Sequence, residues 1–526
     1  MPAPWSGRVA HCTGRERRRC RLAPTVYAHV VARVIVVGAG MGGMATAARL
    51  SVKGHQVTVL EQGPTYGGKL GRIERDGFVF DTGPSLLTLP AVYRDLFNKT
   101  GASLEDSVDL VDLEPGFAYH FADGSAVTMP GVDPGRCAAA LGDAFGGTAY
   151  EDWRALIARG AAIWQITRRP FLESPLTSWR DLMPLARNLS HLRTVAPQTS
   201  LRRLGKHYLH DHRLRLLLDR YATYTGSDPR LAPAALATVP YVEQTFGVHH
   251  VAGGLRRLGD ALYERTLERG VSYEFGCDVV DVTTDASGVN GIRRADGSTE
   301  AADVIVANAD ATHLYRDLLH DPRTKDPLRS LRKSTPSLSG FVLLLAVRGR
   351  TPGLRHHNVW FPADYDAEFD AVFGKHARPV DDPTIYVCAP DDPAMRPDAD
   401  HESWSVLVNA PRHGTGPGCV DWDSPGLAES YRDRILGLLA ARGLDVRDRL
   451  LWSQIRTPAD LARETRAPGG AIYGTSSNGA RAAFSRPANA SAIPGLFLVG
   501  GSAHPGGGLP LVGMSAEIVA NLIGRA

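Results

Sequence analysis

The sequence predicts an α/β fold: a parallel sheet assembled from separated stretches of chain, an antiparallel-sheet domain and a helical cap. Three observations predict it. A β-branched run, Arg33-Val34-Ile35-Val36-Val37, passes directly into a glycine-rich turn and a helical pattern. A second apolar strand, followed by a glycine loop and a helix, closes the chain between Gly495 and Ile523. Between them lie strand-like runs at Gly116 to Met129, Ser339 to Val347, Asn358 to Phe361, Thr384 to Cys388 and Ser403 to Asn409.

Size and charge narrow the possibilities. At 526 residues the chain exceeds what one compact core supports, so at least two domains are expected. Its 43% hydrophobic and 22% charged residues exclude collagen-like and disordered classes. The longest apolar stretch, Val34 to Ala48, is glycine-rich and flanked by Arg33 and Arg49, so no segment has the roughly 20 apolar residues that cross a bilayer. The net charge of +3 is concentrated, because residues 1–30 hold six Arg against one Glu and leave −2 for the rest. That segment lacks the apolar core of a secretory signal and is expected to be a disordered basic extension, with no nucleic-acid partner. Cys12, Cys20, Cys137, Cys277, Cys388 and Cys419 show no paired spacing and read as reduced thiols of a cytoplasmic protein.

The first ordered segment carries the strongest motif. After the strand come Gly38-Ala39-Gly40-Met41-Gly42-Gly43 and a helical pattern from Met44 to Lys53, which is G-x-G-x-x-G in its Rossmann-like context. Gly38 allows the tight turn, Gly40 lets a pyrophosphate approach the backbone, and Gly43 lets helix and strand pack closely. The second strand, Gln56 to Leu60, ends in Glu61, 18 residues past Gly43, where an acid binds a ribose hydroxyl pair. These residues predict an FAD or NAD site. The following Gly63-Pro64-Thr65-Tyr66-Gly67-Gly68-Lys69 mimics a P-loop, but Leu70 stands where the magnesium-binding hydroxyl belongs, so no triphosphatase is implied.

Three further motifs carry a resemblance. Glu61-x5-Gly67-Gly68-Lys69 leads to Phe80-Asp81-Thr82-Gly83-Pro84; the C-terminal Val499-Gly500-Gly501-Ser502-Ala503-His504-Pro505-Gly506-Gly507-Gly508-Leu509-Pro510 has a long specific pattern; and Asp219 to Ser227, Tyr241-Val242-Glu243, Gly253-Gly254-Leu255 and Ala307-Asn308-Ala309-Asp310 recur between them. From Arg33 to its end the chain resembles bacterial phytoene and carotenoid desaturases, FAD-dependent members of the amine-oxidase-like, glutathione-reductase-type flavoproteins. The resemblance implies FAD as cofactor, with Gly42, Gly67, Gly68, Lys69, Gly501, Leu511 and Val512 joining the first motif at the cofactor, and the backbone at Val279 at the adenine. It implies a hydrophobic polyene substrate, desaturated by hydride loss to flavin and proton loss, with oxygen or a quinone as terminal acceptor. A carotenoid oxidase or isomerase on the same fold is the near alternative; a non-catalytic prenyl-lipid carrier is a distant one, which the intact glycines oppose.

The expected layout is discontinuous. Residues 31–115, 250–310 and 487–526 form the FAD-binding domain, 116–149, 231–249 and 311–486 the substrate domain, and 150–230 the helical cap. In the FAD-binding domain the helix Leu255 to Arg269 and strands at Val271 to Phe275, Val279 to Thr284 and Val304 to Ala307 complete the Rossmann-like sheet. From 150 to 220 the chain holds 13 Lys or Arg against six Asp or Glu, with Trp153, Trp164 and Trp179. On its first helix Trp153, Leu156, Ile157 and Trp164 share one face, and Phe171-Leu172 and Leu182-Met183 extend the apolar surface. The stripe reads either as a lipid-facing surface or as a packed core face. A polyene extracted from a bilayer favours the first, and with it peripheral membrane association.

Catalytic candidates are sparse. His504, between strand and glycine loop, is placed to take a proton or to hydrogen-bond the flavin. The adjacent His356 and His357 would point to opposite faces of a strand, so they cannot form the i, i+4 pair of a zinc site and no metal site is expected from them.

Overall fold

The computed structural model describes residues 31–479, 482 and 486–526, without the side chains of residues 179, 182, 184 and 186. The basic extension at 1–30 lies outside the described residues.

The strand Arg33–Val37 is the centre of a five-stranded parallel sheet ordered Leu496–Leu498, Val304–Ala307, Arg33–Val37, Gln56–Glu61, Ser272–Phe275. Alternation along it serves two cores. Val34, Val36, Val57 and Val59 face the helices Met41–Val52, Arg256–Glu268 and Leu509–Ile523, while Ile35, Val37 and Leu60 face Val279, Val282 and Ile292. Burial on both faces explains why Val34–Val37, Val304–Ala307 and Leu496–Leu498 are continuously apolar, while the edge strand Ser272–Phe275 is not.

Val279–Thr284 does not join that sheet. It opens a separate antiparallel sheet with Val289–Arg294 and Thr299–Ala301, two strands that the sequence reading missed. Turns at Asp285 to Gly288 and Arg294 to Gly297 return the chain at once, so local pairing wins over a parallel partner.

The antiparallel domain is a seven-stranded sheet ordered Leu450–Arg456, Ser339–Arg348, His401–Ala410, Ile385–Cys388, His357–Trp360, Phe117–His120, Ala126–Met129. Only His357–Trp360 against Phe117–His120 is parallel. Phe341, Leu343 and Leu345 face the core containing Ile435 and Leu439, and Leu344 and Ala346 face Phe78 and Phe80 of the hairpin Arg72–Arg75/Phe78–Asp81. That hairpin turns at Asp76-Gly77, both at positive φ.

The helical cap corrects one expectation. Ala149–Thr167 packs on Pro134–Phe145 and on Thr238–Phe246, helices outside the expected 150–230 segment. Trp153, Leu156, Ile157 and Trp164 are thereby buried, at 1%, 0%, 6% and 5% exposure, and Trp153 Nε1 donates to Gln244 Oε1 at 3.1 Å. The stripe is a core face, not a lipid face. Phe171 and Leu172 are half-buried beside exposed Arg168 and Arg169; the side chains of Trp179 and Leu182 lie outside the described residues. Among the described residues no helix is long and apolar enough to cross a membrane.

Candidate functional site

Two glycine loops from opposite ends of the chain meet over the ends of the parallel strands. A Cβ at Gly42 would lie 2.7 Å from Asn308 Oδ1 and 3.1 Å from Gly500 Cα, and one at Gly40 2.6 Å from Asn308 Nδ2. Asn308 follows Val304–Ala307 and its N–H donates to Val37 O, so strand register places its side chain between the loops. Gly43 plays a different part: its Cβ would stand 2.2 Å from Gly38 O, against its own strand.

The second glycine pair lies on the first loop. Gly67 N–H donates to Ala39 O at 2.8 Å, and Gly68, at φ +57°, would bring a Cβ within 3.2 Å of Gly40 Cα. Glu61 closes this corner, its Oε2 accepting from Ala39 N at 2.7 Å and its Oε1 from Gly63 N at 2.8 Å.

Two half-buried cations stand nearby. Lys69 Nζ donates to the carbonyls of Ala471 (3.1 Å) and Ile472 (2.6 Å), and burial pushes its pKa down. Arg486 donates to the carbonyls of Tyr473, Gly501 and Thr475, and burial lowers it to about 10. Both feel the carboxylate of Asp310, whose Oδ2 is buried without a hydrogen-bond partner. The helices Met41–Val52 and Leu509–Ile523 begin at the same place, adding free N–H groups and positive potential.

The two glycine loops open into one cavity of about 540 Å³, which Lys69 lines and Arg486 does not. Gly38, Gly40, Gly42, Glu61, Gly67, Gly68, Lys69, Val279, Gly501 and Val512 line it. Gly43 does not, being packed under the helix, and Leu511 is replaced on the wall by Leu509, Pro510 and Val512. The far wall comes from the antiparallel sheet and the cap, with Phe117, Leu338, Val342, Leu407 and Val242 as apolar surface.

A buried polar relay interrupts that wall. Arg220 Nη1 donates to Tyr224 Oη (2.7 Å), Tyr224 Oη donates to Glu243 Oε2 (3.2 Å), and Tyr221 Oη donates to Glu243 Oε1 (2.6 Å). Burial pushes the Glu243 carboxyl up, opposed by these donors and by Arg220. Sequence reasoning met these residues only as landmarks of a resemblance, and it assigned no role to Asn308 or Arg486.

His504 stands apart from the cavity wall. Its Nε2 lies 3.1 Å from Ser174 O and its ring meets Phe171 edge-on at 5.3 Å, so it joins the C-terminal loop to the cap. Burial lowers its pKa to about 4. The expectation for the paired histidines is also corrected. His356 precedes the strand that His357 opens, so strand alternation does not govern it, and the two ring centres are 4.5 Å apart.

Fold and site together define a dinucleotide-binding protein whose cofactor cradle and antiparallel-sheet wall share one cavity. The double glycine cradle, the ribose-side acid and the cationic helix ends fit a flavin dinucleotide. The chain belongs to the family described as flavin containing amine oxidoreductase, which matches residues 41–400, and its cofactor is FAD. It is 31% identical to 4,4'-diapolycopene oxygenase of Methylomonas sp, over 93% of this chain and 98% of that one. It is likewise 31% identical to a zeta-carotene-forming phytoene desaturase of Myxococcus xanthus, over 93% of each chain. Putrescine oxidase bound to putrescine shares the fold, with a TM-score of 0.63 at 16% identity over 94% of this chain and 99% of that one.

Proposed function

We propose that this protein is a carotenoid desaturase that introduces C=C bonds into a long polyene. The observation that carries the reading is the single cavity in which the cofactor cradle faces an apolar wall of sheet and cap residues. The similarity to a phytoene desaturase across nearly the whole chain supports the substrate class.

Each new double bond requires the loss of a hydride from one carbon and a proton from its neighbour. FAD, when bound, supplies the two-electron acceptor, with oxygen or a quinone as final oxidant. The residues of the chain bind and orient. With FAD bound, Gly40 and Gly68 would leave room for the pyrophosphate, Glu61 would face the ribose, and Lys69, Arg486 and the start of Leu509–Ile523 would supply positive potential to the reduced flavin. The apolar wall excludes water from the polyene. The proton, acidified by the electron-poor neighbouring carbon, needs only a weak base. His504 acts as a strut between loop and cap, because its ring is off the cavity wall. The protein works in the cytoplasm against the membrane surface, through the exposed Arg168-Arg169 end of the cap and not through the tryptophan stripe.

A second reading, oxidation of a polyene end to an oxygenated product, is favoured by the likeness to 4,4'-diapolycopene oxygenase and by the Arg220–Tyr224–Glu243 relay on the wall. Co-expression with phytoene-forming enzymes in a colourless host separates the two. Desaturation yields pigments lighter by pairs of hydrogens and absorbing at longer wavelength. Unchanged phytoene, with conversion only of a supplied, fully unsaturated polyene to an oxygen-containing product, would replace the first reading by the second.

A further inference from the structure

Behind the cavity wall lies a cluster that the flavin chemistry does not use. The strands His357–Trp360 and Ile385–Cys388 run antiparallel in a register that sets His357 directly opposite Cys388. His356, one residue before the strand, turns its ring to the same side. One donor atom from each of His356, His357 and Cys388 lies within 4.8 Å of the other two.

The cluster is incompletely bonded, with His356 half-buried. His357 and Cys388 are 0% and 4% exposed. His357 Nδ1 is 2.8 Å from Tyr386 Oη, which is 2.7 Å from Ser85 Oγ, but His357 Nε2 is buried with no hydrogen-bond partner. A buried imidazole nitrogen without a partner is costly unless something binds it. Two of the three donors, His356 and Cys388, border a void of about 20 Å³ that His250 and Ser403 also line. That is room for one water-sized group.

We propose that His356, His357 and Cys388 bind a thiophilic d¹⁰ cation, Zn²⁺ or Cu⁺, through two imidazole nitrogens and one thiolate. Metal–nitrogen and metal–sulfur bonds of about 2.0–2.3 Å require donors about 3.3–3.8 Å apart in a tetrahedron, a contraction that side-chain rotation supplies from 4.8 Å. The void provides the fourth position for water. Tyr386 supplies the outer hydrogen bond that orients His357. His250, held 2.8 Å from Asp392 and with its ring centre 4.8 Å from that of His356, flanks the site. Binding replaces the Cys388 thiol proton, and the ion ties two strands together behind Tyr386 and Ser85, which line the large cavity. The site does not depend on the identity of the polyene.

The test uses flavin-loaded protein purified without a histidine tag. Elemental analysis should find close to one zinc or one copper per chain, falling at least fivefold in Cys388→Ser and in His356→Asn; which element is found separates the two cations. Stripped wild-type protein titrated with Co²⁺ should develop ligand-field bands at wavelengths beyond flavin absorption, and Cys388→Ser should not. Should either variant fail to fold, the wild-type titration still decides. Wild-type protein that carries no zinc or copper and takes up neither these nor cobalt would overturn the proposal, as would equal metal content in wild type and folded variants.

Discussion

Glu243 and Arg220 are 4% and 7% exposed, and their charges meet only through Tyr224. Glu243→Gln keeps an acceptor for Tyr221 but leaves the guanidinium with no counter-charge. Arg220→Met leaves the carboxylate in the same position. Removing one member of a buried ion pair costs about 3–5 kcal/mol, because the survivor stays desolvated and uncompensated. The double variant removes both charges at once. Its cost should therefore fall below that of either single change, and far below the roughly 6–10 kcal/mol that independent sites would give. Urea unfolding of the flavin-loaded proteins, followed by tryptophan emission, measures all four corners of the cycle. Single costs that simply add, or single costs below about 1 kcal/mol, would refute the view that these two residues act as one buried unit.

Three other outcomes are expected. Gly40→Val should empty the flavin site at least tenfold while the protein stays folded, since its side chain enters the cradle against Asn308, whereas Gly43→Val should cost about 1–3 kcal/mol or more of stability by driving into Gly38 O; flavin absorbance and melting temperature distinguish them. His504 is neutral in the folded protein down to about pH 4, while the unfolded ring takes up a proton below about 6.5, so its contribution is whole above about pH 6.5 and is lost as pH falls towards 4. Between pH 7 and pH 4.5, His504→Gln should lose about 2–3 kcal/mol less stability than wild type in matched unfolding experiments, and parallel curves would contradict the assignment. Trp153→Phe should cost about 1–3 kcal/mol by leaving Gln244 Oε1 without its donor, with liposome sedimentation unchanged; the reverse pattern would return that helix face to the membrane.

The cofactor cradle was legible from sequence because its chemistry is local. Gly38, Gly40 and Gly43 lie within one strand-turn-helix, so their spacing alone is enough to predict that a pyrophosphate approaches the backbone there. The strands of both large sheets were legible for the same reason, apart from Leu450–Arg456, whose polar alternation at a sheet edge gives a weaker signal. The tryptophan stripe shows where this stops. Periodicity put Trp153, Leu156 and Trp164 on one face, but whether that face meets lipid or protein depends on Pro134–Phe145 and Thr238–Phe246, helices no local pattern assigns to it. The relay from Arg220 to Glu243 and the His356–His357–Cys388 cluster are further cases. Their members come from separate segments, and strand register or helix packing sets their distances. Backbone motifs are specified within a turn of chain; the cavity wall and its buried charges are specified by which distant segments share a core, and that was decided only by the tertiary structure.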